Sequence, residues 1–453
     1  MAVSLVMRLL SLGAYPLADT TEARYSEIAR LMLESGNWIT LQVQAGVPFW
    51  GKPPLSIWAT ALSFSAFGIS EFAARLPALA FMLATAMLLI GFARDTLNRD
   101  AGLVAACVLL TSVLGFVAAG AVMTDAALTF STTLAMVAFW RATMTGQRGW
   151  AYAFFVALGA GLLAKGPIAL VLILAPITLW LIWRRRGLPL ALPWLTGTAL
   201  TLAIAAPWYL LAESKTPGFI EYFIVGEHWM RFVDSGWSGD LYGSAHAQAR
   251  GTIWLFWLAS ALPWSLIALW LGFRWWQKVR SRLSDWHWYL IVWAAMPMLF
   301  FSFAGNILPA YVLPGLPAFA LLLGKALVAE HRSWLHAAWL MPVFILLAGP
   351  TLVFERIAER SQQVLIRDVE YDGDVAQLMY AYHRPHSANF YSAGRVRLGR
   401  SSADVQRHLD APGIQYVALR RDRLSTLSES QKQRTQVIRQ YARFVLLREI
   451  GPQ

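Results

Sequence analysis

Pro53-Pro54-Leu55-Ser56-Ile57-Trp58-Ala59-Thr60-Ala61-Leu62-Ser63-Phe64-Ser65-Ala66-Phe67-Gly68 is apolar enough to be taken for a membrane span, and the topology turns on whether it is one. A span needs roughly 20 apolar residues to cross about 30 Å of hydrocarbon. This segment is shorter, and Ser56, Trp58, Thr60 and Ser63 give it the mixed character of a helix lying along the interface. Around it the chain reads as a membrane protein. Of its 453 residues 57% are hydrophobic, including 22 Trp and 24 Phe, and the mean hydropathy is +0.48. Soluble domains do not have that composition; polytopic membrane proteins do.

Further apolar segments run at about 76–93, 102–121, 126–140, 150–164, 167–183, 190–212, 252–273, 286–303, 308–324 and 334–354. With the N-terminal stretch Met1–Leu17 they make about eleven spans. That first stretch is short, and reads as a tilted helix or as one whose start lies upstream; no cleavable signal is read in it. Basic residues orient the set. Arg94 and Arg99, Arg141 and Arg148, Arg184 to Arg186, Arg274 with Lys278, Arg280 and Arg282, and Lys325 with Arg332 occupy every second connection. The connections near 122–125 and 304–310 carry no Lys or Arg, and 165–166 carries only Lys165. By the positive-inside rule the basic set is cytoplasmic. If 53–68 lies along the interface, the loops 18–75 and 213–250, Met123-Thr-Asp125, Lys165 and Asn306–Pro309 then all face outward together.

The expected architecture is therefore a polytopic α-helical membrane domain over 1–354, with interfacial helices in the outer loop 18–75. From Glu355 the chain turns polar, with β-rich runs at Tyr416–Leu419 and Phe444–Leu447 and helix-like polar stretches at 402–409 and 428–441. This reads as a small soluble α/β domain, 355–453, on the outer face. Membrane orientation accounts for the formal charge of +12, so no nucleic-acid partner is inferred. The single Cys107 excludes an intramolecular disulfide.

Charge near lipid is costly, so the charged residues of the outward elements are site candidates. Asp19-Thr-Thr-Glu22-Ala-Arg24-Tyr25-Ser-Glu27-Ile-Ala-Arg30 reads as an amphipathic helix over Glu22–Glu34, with Thr20 or Thr21 as its N-cap. Its charges fit either a solvated face or a site. Asp125 sits between two apolar stretches, either as an interfacial N-cap or as a functional carboxylate. Lys165, in Lys165-Gly166-Pro167, either snorkels or holds an anion, and Lys52 has the same two readings, with Pro53-Pro54 stiffening the backbone beside it. Lys52, Lys165, Arg24 and Arg231 together would suit a phosphate ester. In the 213–250 loop, Glu227 and His228, with His246, are candidates for a divalent metal, although no metal-protease or cysteine motif accompanies them. No cofactor is firmly implied. Tyr311, at an outward helix start, suits a headgroup hydrogen bond or an aromatic belt.

As an ordered set, Asp19 to Arg30, Lys52-Pro-Pro-Leu55, Phe72-Ala-Ala-Arg75-Leu-Pro77, Thr124-Asp125, Ala164-Lys165-Gly-Pro167 and Tyr311-Val-Leu-Pro314 resemble the GT-C membrane glycosyltransferases. More narrowly, they resemble the protein-O-mannosyltransferase-like branch that includes the bacterial lipid A aminoarabinose (4-amino-4-deoxy-L-arabinose) transferases. The resemblance covers about residues 1–325. It implies a sugar donor on a polyprenyl phosphate such as undecaprenyl phosphate, an inverting displacement, and an active site facing the periplasm from the bacterial inner membrane. It implies a lipid or glycan acceptor, lipid A or another envelope glycan or protein. By match, Lys52 holds the donor phosphate, Asp125 is an acidic residue of the cavity, and Arg24, Arg231 and Tyr311 contact the headgroup. The family often has an Asp-Glu pair where this chain has Thr21-Glu22, so the catalytic carboxylate is Asp19 or Glu22. The aminoarabinose enzymes tend to carry Glu where this chain has Gly51. A transporter or flippase of lipid-linked sugars is the alternative; it predicts polar groups through the bilayer midplane, which the nearly uncharged mid-span segments lack. A membrane-anchored sensor is the third reading, and it would let Asp125 and Lys165 tolerate alanine.

Overall fold

The computed structural model describes residues 1–234, 236–243, 246–279, 283–330, 332–349 and 355–450. The expectations placed on Arg280, Arg282 and residues 350–354 lie outside these. The chain divides into two compact units. The first holds Met1–Leu12 and Met32–Phe344; the second holds Gly13–Leu31 and Ile345–Gln453. The second unit thus takes residues 13–31, which the sequence reading assigned to the membrane domain.

The first unit is helical, apart from a short hairpin of β1 (Gln42–Gln44) and β2 (Val47–Pro48). Its helices start and stop at local signals. Ser70 caps Glu71–Thr96 by accepting from the Ala73 N–H at 3.2 Å, and Asn98 caps Arg99–Thr111 through the Ala101 N–H at 2.8 Å. Leu55–Phe67 has 13 residues, about 20 Å of helix and short of the hydrocarbon thickness. Among the described residues, three helices are long and apolar enough to cross a membrane by length and composition: Glu71–Thr96, Trp194–Lys215 and Pro309–Ala329. Several expected spans are interrupted. Ser112 adopts extended backbone and caps a new helix, which breaks 102–121. Thr252–Ser260 meets the helix that begins at Trp264 at 106°.

Large aromatics fill the helix interfaces and bring their polar atoms with them. Tyr289 Oη donates to the Met136 carbonyl (2.8 Å), Trp293 Nε1 to the Pro314 carbonyl (3.0 Å) and Trp264 Nε1 to Thr111 Oγ1 (3.0 Å). Inside Asp125–Thr145 the buried Thr129 and Ser131 hydroxyls return to the carbonyls four residues back, at 2.7 and 2.9 Å. Burial of these hydroxyls without a partner would cost about 1–3 kcal/mol each.

The second unit is built on β3 (Leu378–Ala381), β4 (Arg397–Gly399), β5 (Tyr416–Arg420), β6 (Thr435–Gln440) and β7 (Phe444–Glu449), in the order β4-β3-β5-β7-β6. Strands β4, β3 and β5 run parallel, while β7 pairs antiparallel with β5 and β6. The apolar runs of β3, β5 and β7 are buried on both faces. Leu378, Tyr380, Tyr416, Ala418, Phe444 and Leu446 join Leu365, Ile366 and Val369 of the helix Gln363–Asp372. Met379, Val417, Leu419, Val445 and Leu447 join Val405 and Leu409 of the helix Ser402–Leu409. The stretch 428–441, read as helical, is a five-residue helix followed by β6. Thr435, Val437 and Ile438 favour extended backbone, and β7 supplies the ladder.

Candidate functional site

Eight of the eleven residues singled out in the sequence fall in the first unit, and six of them form one charged cluster. The lysine of the diproline segment, Lys52, pairs with Glu227 Oε1 and also donates to the Gly51 carbonyl at 2.6 Å. Arg231 binds the other oxygen of Glu227 at 2.8 Å and lies 3.3 Å from Asp240 Oδ2. Lys165 pairs with Asp125, and its Nζ sits 4.7 Å from the centre of the Tyr311 ring. Local sequence explains the placement. Asp125 is the first residue of Asp125–Thr145, and Lys165 the last of Arg148–Lys165. Gly166 (φ 78°) ends that helix and Pro167 starts the next, so the lysine is held at a sharp chain reversal.

Glu227 and His228 lie on a π-helix, Glu221–Met230. His228 Nδ1 is 2.7 Å from the Phe223 carbonyl and Nε2 is 3.2 Å from that of Lys165. Burial pushes the imidazole pKa down, so the ring is neutral at pH 7; the shorter contact assigns its proton to Nδ1. The ring is thereby fixed within its own helix, and its edge packs against the Lys165-Gly166 turn. Burial pushes the Glu227 carboxyl up, but Lys52 and Arg231 outweigh it and leave the group below its ordinary value. It is an anion shared by two cations.

These residues edge a cavity of about 430 Å³. Lys52, Lys165, Glu227, Arg231, Asn306 and Tyr311 are among its polar lining, and Ile168, Val171, Ile224, Phe232, Phe300 and Phe301 among its apolar lining. The sequence reading missed Asn306 and Asp240 as parts of the site. Asn306 Nδ2 donates to the Arg231 and Asp234 carbonyls at 2.9 and 3.2 Å, whereas its Oδ1 is buried with no hydrogen-bond partner among the described residues. A cavity lined both by anion-binding groups and by greasy side chains suits an amphiphile with an acidic head. Among the described residues, no group of three or more His, Cys, Asp or Glu side chains is gathered as a metal ion would need.

The other three candidates, Asp19, Glu22 and Arg24, fall in the second unit. Asp19 accepts from the Ser387 N–H at 3.0 Å and from the Ser387 hydroxyl, and its own N–H donates to the Arg360 carbonyl at 2.9 Å. The Glu22 carboxylate lies 3.5 Å from the Ala18 N–H, and the Arg24 guanidinium covers the Tyr25 ring. Beside them Glu27 and Arg30 form a buried bidentate pair at 2.7 and 2.8 Å.

Residues 4–223 match the family described as dolichyl-phosphate-mannose-protein mannosyltransferase. The chain is 32% identical over 324 residues to an undecaprenyl phosphate-alpha-4-amino-4-deoxy-L-arabinose arabinosyl transferase of Erwinia tasmaniensis, covering 70% of this chain and 56% of the relative. A protein of the same name from Pseudomonas savastanoi is 34% identical over 344 residues, covering 74% of this chain and 61% of the relative. The chain thus spans somewhat over half the length of the curated relatives it matches. Its fold is that of ArnT from Cupriavidus metallidurans. The apo crystal structure superposes with a TM-score of 0.79 at 21% identity, covering 100% of this chain and 98% of that one. The structure of that protein bound to undecaprenyl phosphate gives 0.77 with the same coverage.

Proposed function

We propose that this polytopic membrane protein, which has the GT-C fold and is similar to the undecaprenyl-phosphate aminoarabinose transferases, is a glycosyltransferase that moves a sugar from a polyprenyl phosphate donor to an envelope acceptor. The observation that carries the reading is a cavity lined by both cations and apolar side chains. Its cation cluster suits the donor phosphate, and its apolar side chains suit the first isoprene units.

In this reading Lys52, Arg231 and Lys165 hold the phosphate. The acceptor oxygen bonds to the anomeric carbon while the bond from that carbon to the phosphate oxygen breaks, with inversion. The departing phosphate gains charge, and fixed cations in a dry site stabilise that gain; this is the main catalytic term. Asp125 belongs to the same cluster, and we assign it the acceptor side. It takes the proton of a hydroxyl acceptor, or orients the sugar where the acceptor is already an anion such as a lipid A phosphate. The bare Asn306 Oδ1 suits a sugar hydroxyl.

The finer architecture belongs to the same proposal: about eleven spans, interfacial helices in an outer loop, the α/β unit in the periplasm and the active site facing it. The test is Lys52→Ala, purified in detergent and supplied with undecaprenyl-phosphate-linked sugar and lipid A. Transfer is expected to fall about 100-fold or more, with the unfolding midpoint within a few degrees of wild type. Near-normal turnover by that variant removes Lys52 from the site and the reading with it.

A further inference from the structure

How the spent lipid leaves is a problem that the charges of this cavity pose, granted the donor-phosphate reading above. Before transfer the donor is a phosphodiester with one negative charge. Afterwards the lipid keeps a phosphate monoester with nearly two charges at neutral pH, and the hydroxyl acceptor has released one proton. Coulomb attraction to Lys52, Arg231 and Lys165 therefore holds the product more tightly than the substrate. Left alone, the used lipid would be the best ligand of the site.

Glu227 is the group placed to compete. Its two oxygens span the two cations, Oε1 at Lys52 and Oε2 at Arg231, as two phosphate oxygens would. Its side chain is only 6% exposed, so water does little to weaken the exchange. It rides on a π-helix, a wide and uncommon helical register that recurs at functional sites and can tighten toward α. Arg231 is also held by Asp240, so it keeps an anionic partner while Glu227 is away. We propose that Glu227 is a resident counter-anion: it yields Lys52 and Arg231 to the donor phosphate and takes them back to expel the lipid phosphate product. It is a positioning residue for product release and does not act on the sugar.

A merely structural Glu227, there to hold the two cations in place, predicts the opposite sign. Its neutralisation would then weaken phosphate binding. The experiment uses the full chain in nanodiscs, wild type against Glu227→Gln, with undecaprenyl phosphate lacking sugar as the probe. The Kd for this lipid is expected to fall about tenfold in the variant, and kcat to fall as release slows. A Kd that is unchanged or raised overturns the exchange. If Glu227→Gln does not fold, Glu227→Asp keeps the charge but shortens the arm. Its Kd is then expected to fall about threefold, and an unchanged or raised value overturns the proposal equally. Failure of wild type itself to bind the lipid overturns the donor reading, and this inference with it; binding by wild type without tightening in the variants overturns the exchange alone.

Discussion

Asp19 buries a carboxylate beside Ser387, and burial raises its pKa from 3.8 to about 6 although two hydrogen bonds from Ser387 and the charge of Arg443 oppose the rise. Between pH 3.8 and 6 the folded chain binds more protons here than the unfolded one, so this group's contribution to stability falls as pH rises through that window. His386 works the other way. Burial and the nearby Arg24 lower it from 6.5 to about 4, so its contribution rises over nearly the same range. In wild type the two terms offset each other. Asp19→Asn keeps the acceptor for the Ser387 N–H and removes only the first term. The stability of the variant relative to wild type is therefore expected to grow by on the order of 3 kcal/mol from pH 4 to 7. Thermal unfolding of both proteins across that range reads it, and parallel curves would refute the assignment. This pairing was invisible in the sequence, because Ser387 lies 368 residues away and nothing local announces it. Lys52 was more legible, since the diproline beside it marked a stiffened cation. Its partner Glu227, 175 residues on, was visible only as a stray acid beside a histidine.

At the scale of the element, the turn Lys165-Gly166-Pro167 aims one of the three cations. Gly166 has φ 78° and ψ −152°, backbone that is essentially confined to glycine, and any Cβ there would stand 2.6 Å from Phe223 Cζ and 3.2 Å from His228 Cε1. The backbone strain alone costs about 1–3 kcal/mol. Gly166→Ala is therefore expected to lower the unfolding midpoint by several degrees and to push the π-helix off Lys165, reducing transfer about tenfold. Unchanged midpoint and rate together would show that the turn relaxes freely and aims nothing. The helix Thr21–Ser35 was readable in advance, and so were strands β5 and β7. What hydropathy could not show was interruption: a window over 102–121 averages across Ser112, and only backbone geometry reveals the break. Strand β6 escaped for a related reason. It is a polar edge strand, and its identity comes from the β7 ladder more than from its own residues.

For the molecule as a whole, the distribution of basic residues makes a claim that can be tested apart from the chemistry. If the Lys- and Arg-rich connections are cytoplasmic, Arg148 is inside, and parity carries the second unit to the periplasm. Both Arg148 and Glu429 are exposed to solvent in the structure, so a cysteine at either would be open to a thiol reagent. The native Cys107 is half-buried in a helix and can be removed by Cys107→Ser. In that background a membrane-impermeant maleimide added to spheroplasts is expected to label Glu429→Cys at once and Arg148→Cys only after the membrane is permeabilised. The opposite pattern would place the lysine-lined cavity on the cytoplasmic side, where a donor assembled in the cytoplasm could reach it without crossing. Labelling of both cysteines in sealed spheroplasts would place one crossing more or fewer between Arg148 and Glu429, whereas the opposite pattern would point to 53–68, which precedes both. That helix is where the topology was decided, because one additional crossing there reverses the side of every later loop.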